Sequence, residues 1–95
     1  MSNKFKTFFT ANDATSYLSS PISRDSVGNR TCVFQAKINS GDTVVLQARI
    51  DESMEYVDIL TATDTSILQE VVTAAQFRVN VTNTSNSAVV CAMSI

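Results

Sequence analysis

Histidine and tryptophan are absent from this chain, proline occurs once, and glycine and cysteine occur twice each. Each shortage removes a class of function. Without an imidazole there is no His-based hydrolytic triad, and neither Cys32 nor Cys91 has a His base to raise its thiolate fraction. A zinc site built on two thiols would need carboxylates for its other ligands, and the spacing offers none of the usual patterns. Gly28 and Gly41 stand alone, so no glycine-rich loop can cradle a phosphate. With Tyr17 and Tyr56 as the only large polar aromatics, a stacking platform for sugars is weakly supported. No stretch approaches the roughly 18 apolar residues of a membrane span. Lys4 and Lys6 open the chain without a following apolar run or small-residue cleavage pattern, so no secretory signal is expected.

Charge is equally spare. Seven basic and nine acidic residues leave a net charge of −2, and no Lys or Arg cluster forms a groove for nucleic acid. Asp51, Glu52, Glu55 and Asp58 are the densest acidic group. Calcium would need convergent oxygens, and the EF-hand spacing with its central glycine is missing, so the group reads as a solvated turn. A carboxylate pair for acid–base chemistry would need a concave pocket to tune it, and short strands with small polar loops give no sign of one. No catalytic residue, metal or cofactor is implied.

What the chain does contain is alternation. Cys32, Phe34, Ala36 and Ile38 share one parity, and Val44, Leu46, Ala48 and Ile50 form a second apolar row. A period of two puts each row on one face of a strand. Ser40, Gly41 and Asp42 lie between them, where Gly41 can take a positive φ, so residues 30–51 are expected to form a two-stranded ribbon. Its oily face has to be covered by something else.

Around this unit the chain reads as further strands. Residues 1–9 hold Phe5, Phe8 and Phe9, with Phe5 and Phe9 on one parity and Phe8 on the other, as in a short strand or an extended arm. Residues 10–28 are rich in turn formers; a weak strand over 14–18 is expected, with Tyr17, Leu18 and Ile22 as anchors. Residues 56–60 read as a strand and 61–65 as a connector. Residues 66–72 suit a strand better than a helix, since seven residues are few for a helix on propensity alone. Phe77, Val79 and Val81 alternate with Gln76, Arg78, Asn80 and Thr82, and residues 83–87 mark a turn. The last strand, 88–94, is apolar on both parities, and residues 79–95 carry no charge. A strand apolar on both faces is usually covered on both. The expected fold is all-β: a small antiparallel β-sandwich, immunoglobulin-like or jelly-roll, of about seven or eight strands. Residues 1–28 supply an extended N-terminal strand, arm and loop, and 29–95 the sandwich body, in one domain overall. Cys32 and Cys91 are expected as buried thiols, with a disulfide open as the alternative.

The segments INSGDTVVLQARIDESMEYVDI and AAQFRVNVTNTSNSAVVCAMSI resemble small β-sandwich virion proteins of tailed bacteriophages. The likeness spans about residues 33–95, and departs from the commoner pattern at Tyr56, where Trp is frequent. It implies a capsid decoration or cement protein, or a related head-fibre, neck or tail component, with no catalytic residues. The partners it implies are the major capsid protein or another virion protein, and sister copies in a homo-oligomer such as a trimer. Membranes and nucleic acid are not among them. The location would be the virion, after synthesis in the host cytoplasm. A carbohydrate- or receptor-binding module is the alternative. Joined to the alternation, the likeness points to Phe5, Phe8 and Phe9 for an arm contact and to Val90 and Ala92 for a strand-face contact.

Overall fold

The computed structural model describes residues 5–11, 15–19, 21–23, 32–71, 74–84 and 88–94, with side chains placed for 16–19, 21, 22, 32–71, 74–84 and 88–93. Among the described residues there are nine strands: β1 (Phe5–Ala11), β2 (Thr15–Leu18), β3 (Ile22–Ser23), β4 (Cys32–Lys37), β5 (Thr43–Arg49), β6 (Val57–Thr63), β7 (Ile67–Val71), β8 (Gln76–Asn83) and β9 (Val89–Ser94). They form two sheets in which all pairings are antiparallel. One sheet has the order β1-β9-β4-β7; the other has β2-β8-β5-β6, with β3 also on β8. The edges of both sheets include strands from residues 1–28 (β1, β2 and β3).

The core lies between the sheets and is built from the rows that alternate in the sequence. Phe34, Met93, Cys32, Cys91 and Val89 come from the first sheet; Phe77, Leu46, Val44, Val79 and Val81 come from the second. A slab 38 × 34 × 17 Å exposes 5816 Å², slightly more than the roughly 5,400 Å² expected from mass scaling. So thin a molecule has little interior for its size, and apolar side chains are left outside.

The ribbon expected over 30–51 is not formed. β4 pairs with β7 and β9, whereas β5 pairs with β6 and β8, so the two strands belong to opposite sheets and face each other across the core. Both oily rows are thereby buried at once, which a two-stranded ribbon could not do. The turn itself is present. The Asp42 N–H donates to the Asn39 carbonyl at 3.0 Å, and Gly41 has a φ of 95°. A Cβ on Gly41 would also sit 2.9 Å from Thr84 Oγ1, so this glycine serves both backbone and packing. Ile50 falls outside the apolar row, because β5 ends at Arg49, and is 71% exposed.

Several boundaries move. The weak strand near 14–18 is β2, and 67–71 is a strand as expected. β6 runs on to Thr63, so the connector to β7 shortens to Asp64, Thr65 and Ser66. Asp64 takes a φ of 65°, a conformation aspartate tolerates better than most residues. β8 likewise extends to Asn83, which is buried rather than part of the last turn. Ile22 is buried, but Tyr17 and Leu18 are exposed on the edge strand and do not anchor it. Cys32 and Cys91 are free thiols. Cys91 lies opposite Ala36, four residues along β4 from Cys32, or roughly 13 Å at the usual rise per residue, beyond the reach of a disulfide.

β2 and β3 run along the same edge of β8 with a one-residue slip between them, near Pro21. Ser19 keeps the ladder intact across the break. Its N–H donates to the Val79 carbonyl at 2.9 Å, and its Oγ accepts from the Val79 N–H at 2.9 Å, in place of a main-chain oxygen. Ser19→Ala is therefore expected to leave a buried donor unmatched and to lower unfolding stability by about 1–3 kcal/mol in urea titrations. A change below ~0.5 kcal/mol would show that water or a shifted carbonyl replaces the hydroxyl.

Candidate interaction surfaces

One end of the sandwich is tied together by polar groups. Asp42, fully buried, accepts from Asn39 N at 3.0 Å through Oδ2 and from Thr84 N at 2.9 Å through Oδ1. Its carbonyl accepts from the Asp64 N–H, and the Asp64 carboxylate accepts from Gly41 N at 2.7 Å. Thr84 Oγ1 donates to the Gly41 carbonyl, Asn39 Nδ2 to the Ala88 carbonyl, and Ser66 Oγ both accepts from Ile38 N and donates to the Ile38 carbonyl. Three turns are thus tied to one another around the buried Asp42 carboxylate, while Asp64, Ser66 and Thr84 stay at the surface. This end is built for rigidity.

The opposite end is oily and acidic. A cleft of about 250 Å³ is lined by Ala48, Ile50, Met54, Val57, Ile59 and Ala74, with Arg49 and Glu55 at its rim. Asp51, Glu52, Glu55 and Asp58 are all exposed here. Asp51 is held below the ordinary carboxylate range, first by the Ser53 hydroxyl and then by the Ser53 N–H, both donating to Oδ2, with Arg49 adding a smaller pull. Among the described residues no group of three or more acids and thiols converges as metal ligands would. Asp58 instead accepts from Gln47 Nε2 at 2.7 Å.

Tyr56 joins this end to the outer face of the second sheet. The Arg49 and Arg78 guanidinium groups lie 4.4 and 4.0 Å from its ring centre. Neutral amides hold both arginines: Arg49 Nε donates to Gln76 Oε1 at 2.6 Å, and Arg78 Nε to Gln47 Oε1 at 2.7 Å. Arg49 Nη1 also reaches the carbonyls of Glu52 and Met54 at 3.3 Å, pinning the β5–β6 turn. The ring is already stacked by cations, so it is not free as a sugar platform. This cluster was not legible from parity alone, because Arg49 and Arg78 become neighbours only once β5 pairs with β8.

The outer face of the first sheet is where the two strand-face candidates fall. Val90 and Ala92 project from β9, an inner strand, on the side away from the core, and both are half-buried. With Gln35 and Lys37 they line a groove of about 200 Å³. Register places Ala92 and Leu68 on either side of Gln35, Val90 beside Lys37, and Glu70 beside Val33. Leu68 is 67% exposed on the edge strand β7. It was missed as a candidate because a single exposed apolar residue in the expected 66–72 strand carries no sign of the neighbours that β4 and β9 bring beside it.

Phe5, Phe8 and Phe9 belong to β1, which pairs with β9; Phe5 is opposite Ser94, Phe9 is opposite Cys91, and Phe8 lies at a register shift. Their side chains lie outside the described residues. The backbone nevertheless brings all five candidates onto two neighbouring strands. It also shows β1 beside β9 in the sheet rather than laid across the face that carries Val90 and Ala92. No protein-family model, curated protein or solved structure matches this chain.

Proposed function

We propose that this chain is a non-enzymatic structural virion protein that decorates or cements a tailed-phage capsid, contacting the major capsid protein or another virion protein as well as sister copies. The observation that carries the reading is the position of β9. Its charge-free sequence is apolar on both parities, and among the described residues one face lies in the core while the other is only half-buried. Half-buried Val90 and Ala92, with exposed Leu68 two strands away, put apolar groups on an outer face of the slab. Faces of this kind mark association sites, and many copies on a lattice bind usefully even when each contact is modest.

The finer reading of the fold agrees with this. A β1-β9-β4-β7 sheet facing a β2-β8-β5-β6 sheet follows the strand order of a jelly roll, an architecture frequent in viral shell and lectin domains. Architecture alone does not choose between those two uses. Tyr56 is stacked by two guanidinium groups, which supports the shell reading over a carbohydrate module. A neck or tail accessory protein is the second reading within the virion class.

Labelling the protein and imaging purified particles tests the proposal. Signal spread over the shell is the expected result. Signal at one vertex would replace decoration with the neck or tail reading, and particles without signal would overturn a virion role.

A further inference from the structure

We infer that the outer face of the β1-β9-β4-β7 sheet is occupied by the same face of a second copy of this chain, related by a two-fold axis that runs across the strands. The inference rests on the reading of this face as an association surface and names its occupant. The face forms three rows across β9, β4 and β7. Its middle row is Ala92, Gln35 and Leu68; one outer row contains Val33 and Glu70, and the other contains Val90 and Lys37. Apolar and neutral groups therefore fill the centre, with one acid and one base in opposite outer rows.

Within one copy the two charges are far apart. They are separated by four residues along the strands and by one strand across, or roughly 14 Å at standard strand spacings. Neither makes an ion pair among the described residues. A two-fold axis lying along the middle row exchanges the outer rows. It places Lys37 of one copy over Val33 of the other, next to Glu70, and repeats that meeting at the symmetric position. Leu68 then meets Leu68, Gln35 meets Gln35 and Ala92 meets Ala92. An axis parallel to the strands would leave both charges in their own rows and create neither pair. The charges thus select one of the two face-to-face arrangements, and an isologous contact closes without forming a fibre.

Size sets the expected strength. Four strands at ~4.8 Å and six residues at ~3.3 Å give a projected face of roughly 400 Å², which belongs to the low end of specific interfaces. The dimer should be weak, concentration-dependent and not obligate.

Sedimentation of the full chain across a concentration series tests this. The expected result is a mass rising from 10.3 kDa towards twice that value. Lys37→Glu and Glu70→Lys should each weaken association at least ~10-fold by opposing like charges, and combining them should return it to within ~3-fold of the parent. Leu68→Glu should abolish it. All four variants alter exposed positions and should keep the parent's thermal melt, which separates lost association from lost folding. A parent chain that stays monomeric up to ~1 mM, or a charge swap that fails to restore association, overturns the inference whatever particle imaging shows. Restoration by the swap supports it even if the protein is absent from particles, so this inference and the virion reading fail separately.

Discussion

Replacing Asp42 with Ala is expected to lower the unfolding free energy by about 3–4 kcal/mol, a large share of the 5–15 kcal/mol typical of small domains. The side chain is fully buried and acts wholly as an acceptor for donors that come from elsewhere in the chain. Alanine leaves the N–H groups of Asn39 and Thr84 without that acceptor, at about 1–3 kcal/mol each where water cannot reach them, and also removes a weaker contact from Asn39 Nδ2. Asp42→Asn retains one acceptor oxygen but turns an amide towards the other donor, so about half the loss is expected. Urea titration gives the total. Amide exchange gives the location, with protection falling first at Asn39 and Thr84. A loss below ~1 kcal/mol for Asp42→Ala would mean that the three turns are held by packing and not by this carboxylate.

The contrast between Asp42 and the strands shows which parts of the molecule can be read from sequence. Phe77, Val79 and Val81 announce a strand with one buried face, because strand geometry translates parity directly into facing. The same rule gave Cys32, Phe34 and Ala36 on one strand and Val44, Leu46 and Ala48 on the next. It could not say whether those strands lie side by side or face to face. A ribbon within one sheet and an arch between two sheets have the same alternation and the same Gly41 turn; only the pairing partners differ, and those lie as far away as β9. Asp42 read simply as a turn residue for a related reason. Its role depends on Thr84 and Asp64, brought near by three separate reversals of the chain. Val90 and Ala92 were legible as a surplus apolar row because a strand oily on both parities cannot hide both rows in one core. Their neighbours Leu68, Gln35 and Lys37 were not, since a surface patch assembled from three strands has no signature in any one of them.

Alkaline pH should destabilise the protein steeply, through Cys91. Its thiol is fully buried at the centre of β9, and burial pushes it up to about 12 from an ordinary value of 9.0. The folded state therefore keeps its proton where the unfolded chain has released it. Stability from this group is complete below pH 9, declines as the pH rises from about 9 to about 12, and is gone above that range. The slope is about 1.4 kcal/mol per pH unit for one proton, so the full interval amounts to roughly 4 kcal/mol. Cys91→Ala isolates the contribution of this thiol from every other effect of alkaline pH. The variant should start about 1–2 kcal/mol less stable at pH 8, from the small cavity, yet lose less with each further pH unit. Its urea midpoints should therefore converge on the parent's by about pH 10.5. Site-resolved alkylation supplies an independent check, because a sealed thiol reacts only through opening of the fold: at pH 8.5 labelling of Cys91 should be at least ~10³-fold slower than in the urea-unfolded chain. Parallel pH slopes for parent and variant, together with rapid labelling, would place Cys91 in contact with water and open the β9 side of the core, the same strand whose other face is proposed for association.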